Sequence, residues 1–170
     1  MTLQWRGKYL EVYKTGTWEY AARVGNMGAA VILATTDVGE LILVEQFRPA
    51  HGASTIELPA GLIGDTGAPA ERINDTAAAA AARELHEETG FEATTWQDCG
   101  VFATSPGMSS EAFHLFKATG LTRTGPGGGV ESEAIIVHVV PLAAMPEFVA
   151  AQRTAGRIID CRLIVALGLL

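Results

Sequence analysis

The sequence predicts an α+β fold in which a mixed β-sheet is layered between helices. Three observations carry this. β-rich runs separated by turn residues fill most of the N-terminal third, one strongly helical segment interrupts them, and more β-rich runs follow before two apolar terminal stretches. At 170 residues the chain is sized for a single domain spanning 1–170, long enough to bury roughly two-thirds of its unfolded surface.

Taken in order, Leu10–Tyr13 and Trp18–Val24 flank Thr15-Gly16 and predict a hairpin within an N-terminal β-region, 1–25. Ala29–Ala34 and Leu41–Gln46 flank Asp37-Val38-Gly39-Glu40 and predict a second. Thr55–Leu58 is a short strand feeding Pro59-Ala60-Gly61, and Gly64-Asp65-Thr66-Gly67-Ala68-Pro69 has the composition of a surface loop. Ala77–Ala82 are the best helix formers available, and Asn74, Asp75 and Thr76 before them can each accept first-turn N–H groups. A helix is therefore expected from about Thr76 to Thr89. Trp96–Ala103, Ala112–Ala118 and Ala134–Val140 follow as strands, and Pro146–Thr154 and Ile159–Leu169 as terminal helices. The apolar run Leu163–Leu170 reads as a helix face packed on the sheet, too short to cross a bilayer, which needs about 20 apolar residues.

The central helix carries the chemistry. Glu84, Glu87 and Glu88 are spaced three and four apart and project from one face, where bare like charges repel by a few tenths of a kcal/mol per pair. A divalent cation between them removes that cost, and an all-oxygen ligand set selects a hard ion, Mg²⁺ or Mn²⁺. A Glu-rich helix face is more often simply solvated. Here the neighbouring residues decide: Arg83-Glu84-Leu85, Glu87-Glu88-Thr89-Gly90 and the apolar Phe91 resemble the metal-binding helix of the Nudix hydrolases. That resemblance implies a Nudix α/β/α sandwich and Mg²⁺-dependent hydrolysis of nucleoside diphosphates linked to another group, with Glu84, Glu87, Glu88 and the Ala60 carbonyl as metal ligands.

Counting back from Arg83 by the family's spacing puts Asp75 where a Glu is expected and Pro69 where a Gly is expected. Leu58-Pro59-Ala60-Gly61-Leu62-Ile63 looks instead like the opening of the motif, so Gly61 is its glycine and about eight residues are inserted before the helix, a lengthening that costs little free energy. Asp75 or Glu71 then stands in for the missing Glu.

Three further segments resemble the ADP-ribose and ADP-sugar pyrophosphatase branch. In Ser105-Pro106-Gly107-Met108-Ser109-Ser110-Glu111 the resemblance implies substrate contacts from Met108 and Glu111. In Glu131-Ser132-Glu133-Ala134-Ile135-Ile136 it implies a loop glutamate that orients the attacking water: Glu131, with Glu133 as the alternative base or an added metal ligand, alongside Glu87. Gly125-Pro126-Gly127-Gly128-Gly129 before them is read as a hinge for loop closure, since no helix follows to make a phosphate cradle. In Gln46-Phe47-Arg48-Pro49 the branch implies an Arg48 contact to the diphosphate, whose oxygens a guanidinium fork matches. The same branch implies a homodimer formed through 1–25, with Trp18 or Tyr20 stacking on adenine. His51, His86, His114 and His138 show no ligand spacing and are read as structural.

Composition narrows the partners. A net charge of −7 disfavours nucleic acid, no apolar run is long enough to span a membrane, and the N-terminus lacks the apolar core of a signal peptide. Cys99 and Cys161 lack metal or disulfide-framework spacing, consistent with the cytoplasm. The expected activity is ADP-ribose hydrolysis to AMP and ribose 5-phosphate. GDP- or UDP-sugars are the rival substrates, and a non-catalytic ADP-ribose sensor is the rival class, disfavoured because it has no need of the three intact glutamates.

Overall fold

The computed structural model describes residues 1–64, 76–130 and 133–170. Its N-terminal part is a three-stranded antiparallel sheet of β1 (Thr2–Arg6), β2 (Leu10–Thr15) and β3 (Trp18–Arg23), in the order β1-β2-β3. The expected hairpin at Thr15-Gly16 is present, and β1 is an addition to it. This sheet is thinly covered: every residue of β1 is exposed. Its polar anchor is the buried Glu11, which accepts from the Tyr13 hydroxyl at 2.7 Å and pairs with Arg6 at 3.1 Å.

The main body has two four-stranded sheets. One runs β7 (Ala60–Leu62), β4 (Ala29–Ala34), β9 (Ala112–Arg123), β8 (Phe91–Ala103), and the other β10 (Ile136–Pro141), β5 (Glu40–Arg48), β6 (Ala53–Glu57), β11 (Ile158–Ile159). Each is mixed, because β4 pairs with β9 and β6 with β11 in parallel while the other pairs are antiparallel. The second predicted hairpin is corrected here. β4 and β5 belong to different sheets, joined just past the end of β4 by a bridge between Thr35 and Leu41 and by the Thr36 N–H donating to the Glu40 carbonyl at 2.9 Å. β4 is buried along its whole length and both its edges are taken, by β9 and β7, so no edge remains for β5.

Burial on both sides also sets the layering. Ala30, Ile32 and Ala34 pack with Ile42, Phe116 and the Ala80, Ala81 and Leu85 face of α1 (Ala77–Thr89). Val31 and Leu33 point the other way, with Leu41, Leu43 and Ile56, against Met145 and Phe148 of α2 (Met145–Thr154) and Leu163 and Ala166 of α3 (Cys161–Leu167). Alternation along the strands thus sends successive side chains to opposite helix layers, giving the expected α/β/α sandwich.

Several boundaries move, among them the end of β9, which runs on to Arg123 past the expected Ala118. β8 starts at Phe91, directly after α1, not at Trp96. The predicted Ile159–Leu169 helix is divided into β11 and α3 by Asp160, which leaves the helical region to accept the Arg162 N–H at 2.7 Å as an N-cap. Among the described residues no helix is long and apolar enough to cross a membrane.

Candidate active site

α1 is fixed at both ends by local chemistry. Thr76 Oγ1 accepts the Ala79 N–H at 3.2 Å, and Gly90, left-handed, donates its N–H to the His86 carbonyl at 2.8 Å. With Ala80, Ala81 and Leu85 in the core, the helix turns Glu84 and Glu88 toward β7. Glu88 is 4% exposed, and one carboxylate oxygen accepts the Ala60 N–H at 3.0 Å. Burial, opposed by that N–H and reinforced by the charges of Glu84 and Glu133, pushes its carboxyl up to about 8. Burial likewise raises Glu84, against the Arg83 guanidinium 2.7 Å away. Glu84 also lies where a side chain on Gly61 would be: a Cβ there would stand 1.9 Å from Glu84 Cδ.

These groups open on a cleft of about 870 Å³, within the range of small-molecule sites. Glu84, Glu88, Glu133 and Ala60 line it together with Arg48 and Glu111, from five separate places in the sequence. Glu87 is not among the lining residues; its carboxylate turns to Arg83 at 3.3 Å. Glu131, Glu71 and Asp75 lie outside the described residues. Glu133 accepts the Val130 N–H at 3.1 Å. Among the described residues no three carboxylates converge on one point as they stand, each having a protein donor instead. The donor set nonetheless fits a hard divalent cation: it is all oxygen, it is buried at Glu88, and its members raise one another's affinity for positive charge.

Arg48 and Glu111, expected in the site, do line the cleft, but the charged partners that hold them were missed by sequence reasoning. Arg48 places Nε and Nη2 on the two oxygens of the buried Glu57, at 2.7 and 2.8 Å. Arg162 reaches the same carboxylate at 2.9 Å and also pairs with Asp160. Arg23 pairs with Glu111 at 2.7 Å. The sequence signals were a Glu within the apolar run before Leu58 and an Arg within the apolar terminal stretch; each implied a buried partner but not which one. Of the histidines, His138 bonds Glu45 at 3.0 Å, His86 contacts Thr124 and His114 stacks on Phe116, whereas His51 lines the cleft.

A second hollow, of about 410 Å³, lies between Trp18 and Tyr20 of β3 and the turn at Pro106, Ser109 and Ser110. Backbone bonds stitch that turn to β3: the Ala21 N–H donates to the Met108 carbonyl and the Ser110 N–H to the Ala21 carbonyl, each at 2.9 Å. The Met108 side chain is exposed and borders neither cavity.

The glycine-rich run is not a free hinge. Gly128 and Gly129 donate their N–H groups to the carbonyls of Glu88 and Glu87, at 2.8 and 3.0 Å, satisfying the last turn of α1.

Comparison with known proteins agrees with this architecture. The NUDIX domain model matches residues 25–157. The ADP-ribose pyrophosphatase of Mycobacterium tuberculosis is 40% identical over 102 residues, covering 60% of this chain and 46% of that protein. The GDP-mannose pyrophosphatase of Klebsiella pneumoniae is 34% identical over 131 residues, covering 72% and 62%. A solved crystal structure of an ADP compounds hydrolase superposes with a TM-score of 0.67 at 23% identity, covering 88% of this chain and 80% of that one, which shows the shared fold. The chain spans about half the length of the curated relatives it matches first.

Proposed function

Because the chain belongs to the Nudix family, its NUDIX domain occupying residues 25–157, we propose that it hydrolyses the pyrophosphate bond of a nucleoside diphosphate sugar, with ADP-ribose as the substrate and AMP and ribose 5-phosphate as products. The observation that carries this reading is that Glu84, Glu88 and Glu133 line one cleft together with Arg48.

Glu84 and Glu88, with Glu87 and the Ala60 carbonyl, are the groups to hold Mg²⁺ or Mn²⁺. When bound, the ion supplies positive charge to the diphosphate oxygens. Arg48, aimed by Glu57, adds a guanidinium to the same oxygens. Glu131 or Glu133 accepts the proton of the attacking water, and attack on one phosphorus releases the other phosphate as leaving group. Glu111, held by Arg23, stands on the sugar side.

The nucleobase belongs in the second hollow. Stacking on Trp18 or Tyr20 contributes roughly 1–3 kcal/mol. The exposed β1–β3 sheet is the surface through which two chains pair, and with Cys99 and Cys161 both unbridged the enzyme suits a reducing cytoplasm. The 34% identity to a GDP-mannose pyrophosphatase makes GDP-sugars the second reading.

The test is phosphate-coupled turnover of ADP-ribose, GDP-mannose and UDP-glucose, with and without Mg²⁺. ADP-ribose is expected to show the highest kcat/KM, only with metal, and Glu84→Gln and Glu88→Gln to remove that turnover while remaining folded. Preference for GDP-mannose selects the second reading. Tight ADP-ribose binding without turnover rejects both.

A further inference from the structure

We propose that Gly129 is a positioning residue: the missing Cβ leaves the space in which the Glu133 side chain sits, and its backbone ties that side chain to the end of the helix that carries Glu84 and Glu88. The inference rests on the metal-dependent reading above and concerns a residue to which that reading gives no role.

Two separate observations meet at this glycine. The first is backbone: the N–H groups of Gly128 and Gly129 cap the carbonyls of Glu88 and Glu87, so this segment takes its position from the residues bearing the helix carboxylates. The second is steric: a Cβ on Gly129 would come within 2.5 Å of Glu133 Oε2, 2.9 Å of Glu133 Cβ and 3.0 Å of Ile135 Cδ1. Glu133 completes the contact by accepting the Val130 N–H at 3.1 Å and by donating its own N–H to the Val130 carbonyl at 2.8 Å. The carboxylate is thus folded back over Gly129 into the cleft that Glu84 and Glu88 line.

Gly128 is the internal control. Its φ of +104° is as unfavourable for an L side chain as the +80° of Gly129, but the nearest atom to a Cβ there is the Ile135 carbonyl oxygen, at 3.8 Å. Gly128→Ala therefore adds backbone strain without touching Glu133. Gly129→Ala adds similar strain and displaces the carboxylate.

The experiment compares Gly129→Ala, Gly128→Ala, Glu133→Gln and the Gly129→Ala/Glu133→Gln double variant. Mn²⁺ binding to the protein alone is followed by electron paramagnetic resonance, and Mg²⁺-dependent kcat and KM are measured beside thermal melts. Gly129→Ala is expected to weaken Mn²⁺ at least fivefold and lower kcat at least tenfold with KM within twofold. Gly128→Ala stays within twofold on each measure, and the double variant is no worse than Glu133→Gln. Equal behaviour of the two alanine variants, or losses that multiply in the double variant, overturns the proposal. Should Gly129→Ala not fold, Gly129→Ala/Ile135→Val removes the methyl that the new Cβ would meet and carries the same test. Glu84→Gln in the same assays separates the two levels. If it binds Mn²⁺ normally, the metal reading itself fails; if it loses Mn²⁺ while Gly129→Ala matches Gly128→Ala, only the role of Gly129 fails.

Discussion

Both carboxylate oxygens of Glu57 are taken by the guanidinium of Arg48, at 2.7 and 2.8 Å, and Arg162 shares one of them from the far end of the chain at 2.9 Å. One buried acid therefore aims two cations along a cleft wall. Since Glu57 is the more deeply buried member and Arg48 is partly exposed, the pair acts as an anchor for Arg48 more than as a net source of stability.

Glu57→Gln is expected to destabilise the protein by about 2 kcal/mol, because it leaves two guanidinia facing a neutral amide. It should raise KM more than it lowers kcat. Urea unfolding and steady-state kinetics check the two parts; an unchanged KM would separate Glu57 from substrate binding.

The same network sets an acid limit. Burial alone would raise the Glu57 carboxyl, but hydrogen bonds from Arg48 and Thr55 and the charges of Arg48 and Arg162 bring it below its ordinary value. Asp160, beside Arg162, and Glu45, beside Arg157 and His138, are lowered against burial in the same way. Because the unfolded chain holds these protons more tightly, the stability they contribute is present above the ordinary carboxylate range and is lost as pH falls through their folded values. Melting temperature should drop below about pH 4, and the drop should be shallower in Glu57→Gln.

Gly61→Ala places a Cβ 1.9 Å from Glu84 Cδ. The carboxylate must move by an ångström or more, so activity should fall about 10²-fold while the melting temperature changes little. Kinetics beside a thermal melt decide this, and retention of half the activity would rule out Gly61 as the site's packing glycine.

Glu88→Gln should make the metal-free protein more stable at pH 9, since it removes a charge that is buried and faces Glu84 and Glu133. Its side-chain oxygen still accepts the Ala60 N–H. The stabilisation that Mg²⁺ gives the wild type, about 1.4 kcal/mol for each tenfold excess over Kd, should vanish. Melts with EDTA and with Mg²⁺ give both numbers.

The N-terminal sheet exposes Leu3, Trp5 and Trp18. Sedimentation should show a dimer, and Leu3→Lys should shift it to monomer with lower activity on ADP-ribose. A monomeric wild type would overturn the pairing.

The sequence by itself determined α1. Its alanines, the capping residues available before them at Asn74, Asp75 and Thr76, its Gly90 stop and the spacing of Glu84 and Glu88 depend on hydrogen bonds and contacts within about four residues, so they are legible locally. The β-rich runs and the turn residues between them were legible for the same reason. The tertiary structure alone decided that β4 and β5 part into different sheets, because pairing depends on which edges other strands have already filled. It also decided that Glu57 meets Arg162 and that Glu133 lines the same cleft as the helix acids Glu84 and Glu88. These contacts join residues far apart in the chain, and only the packing of two helix layers on the shared sheets brings them to one cleft.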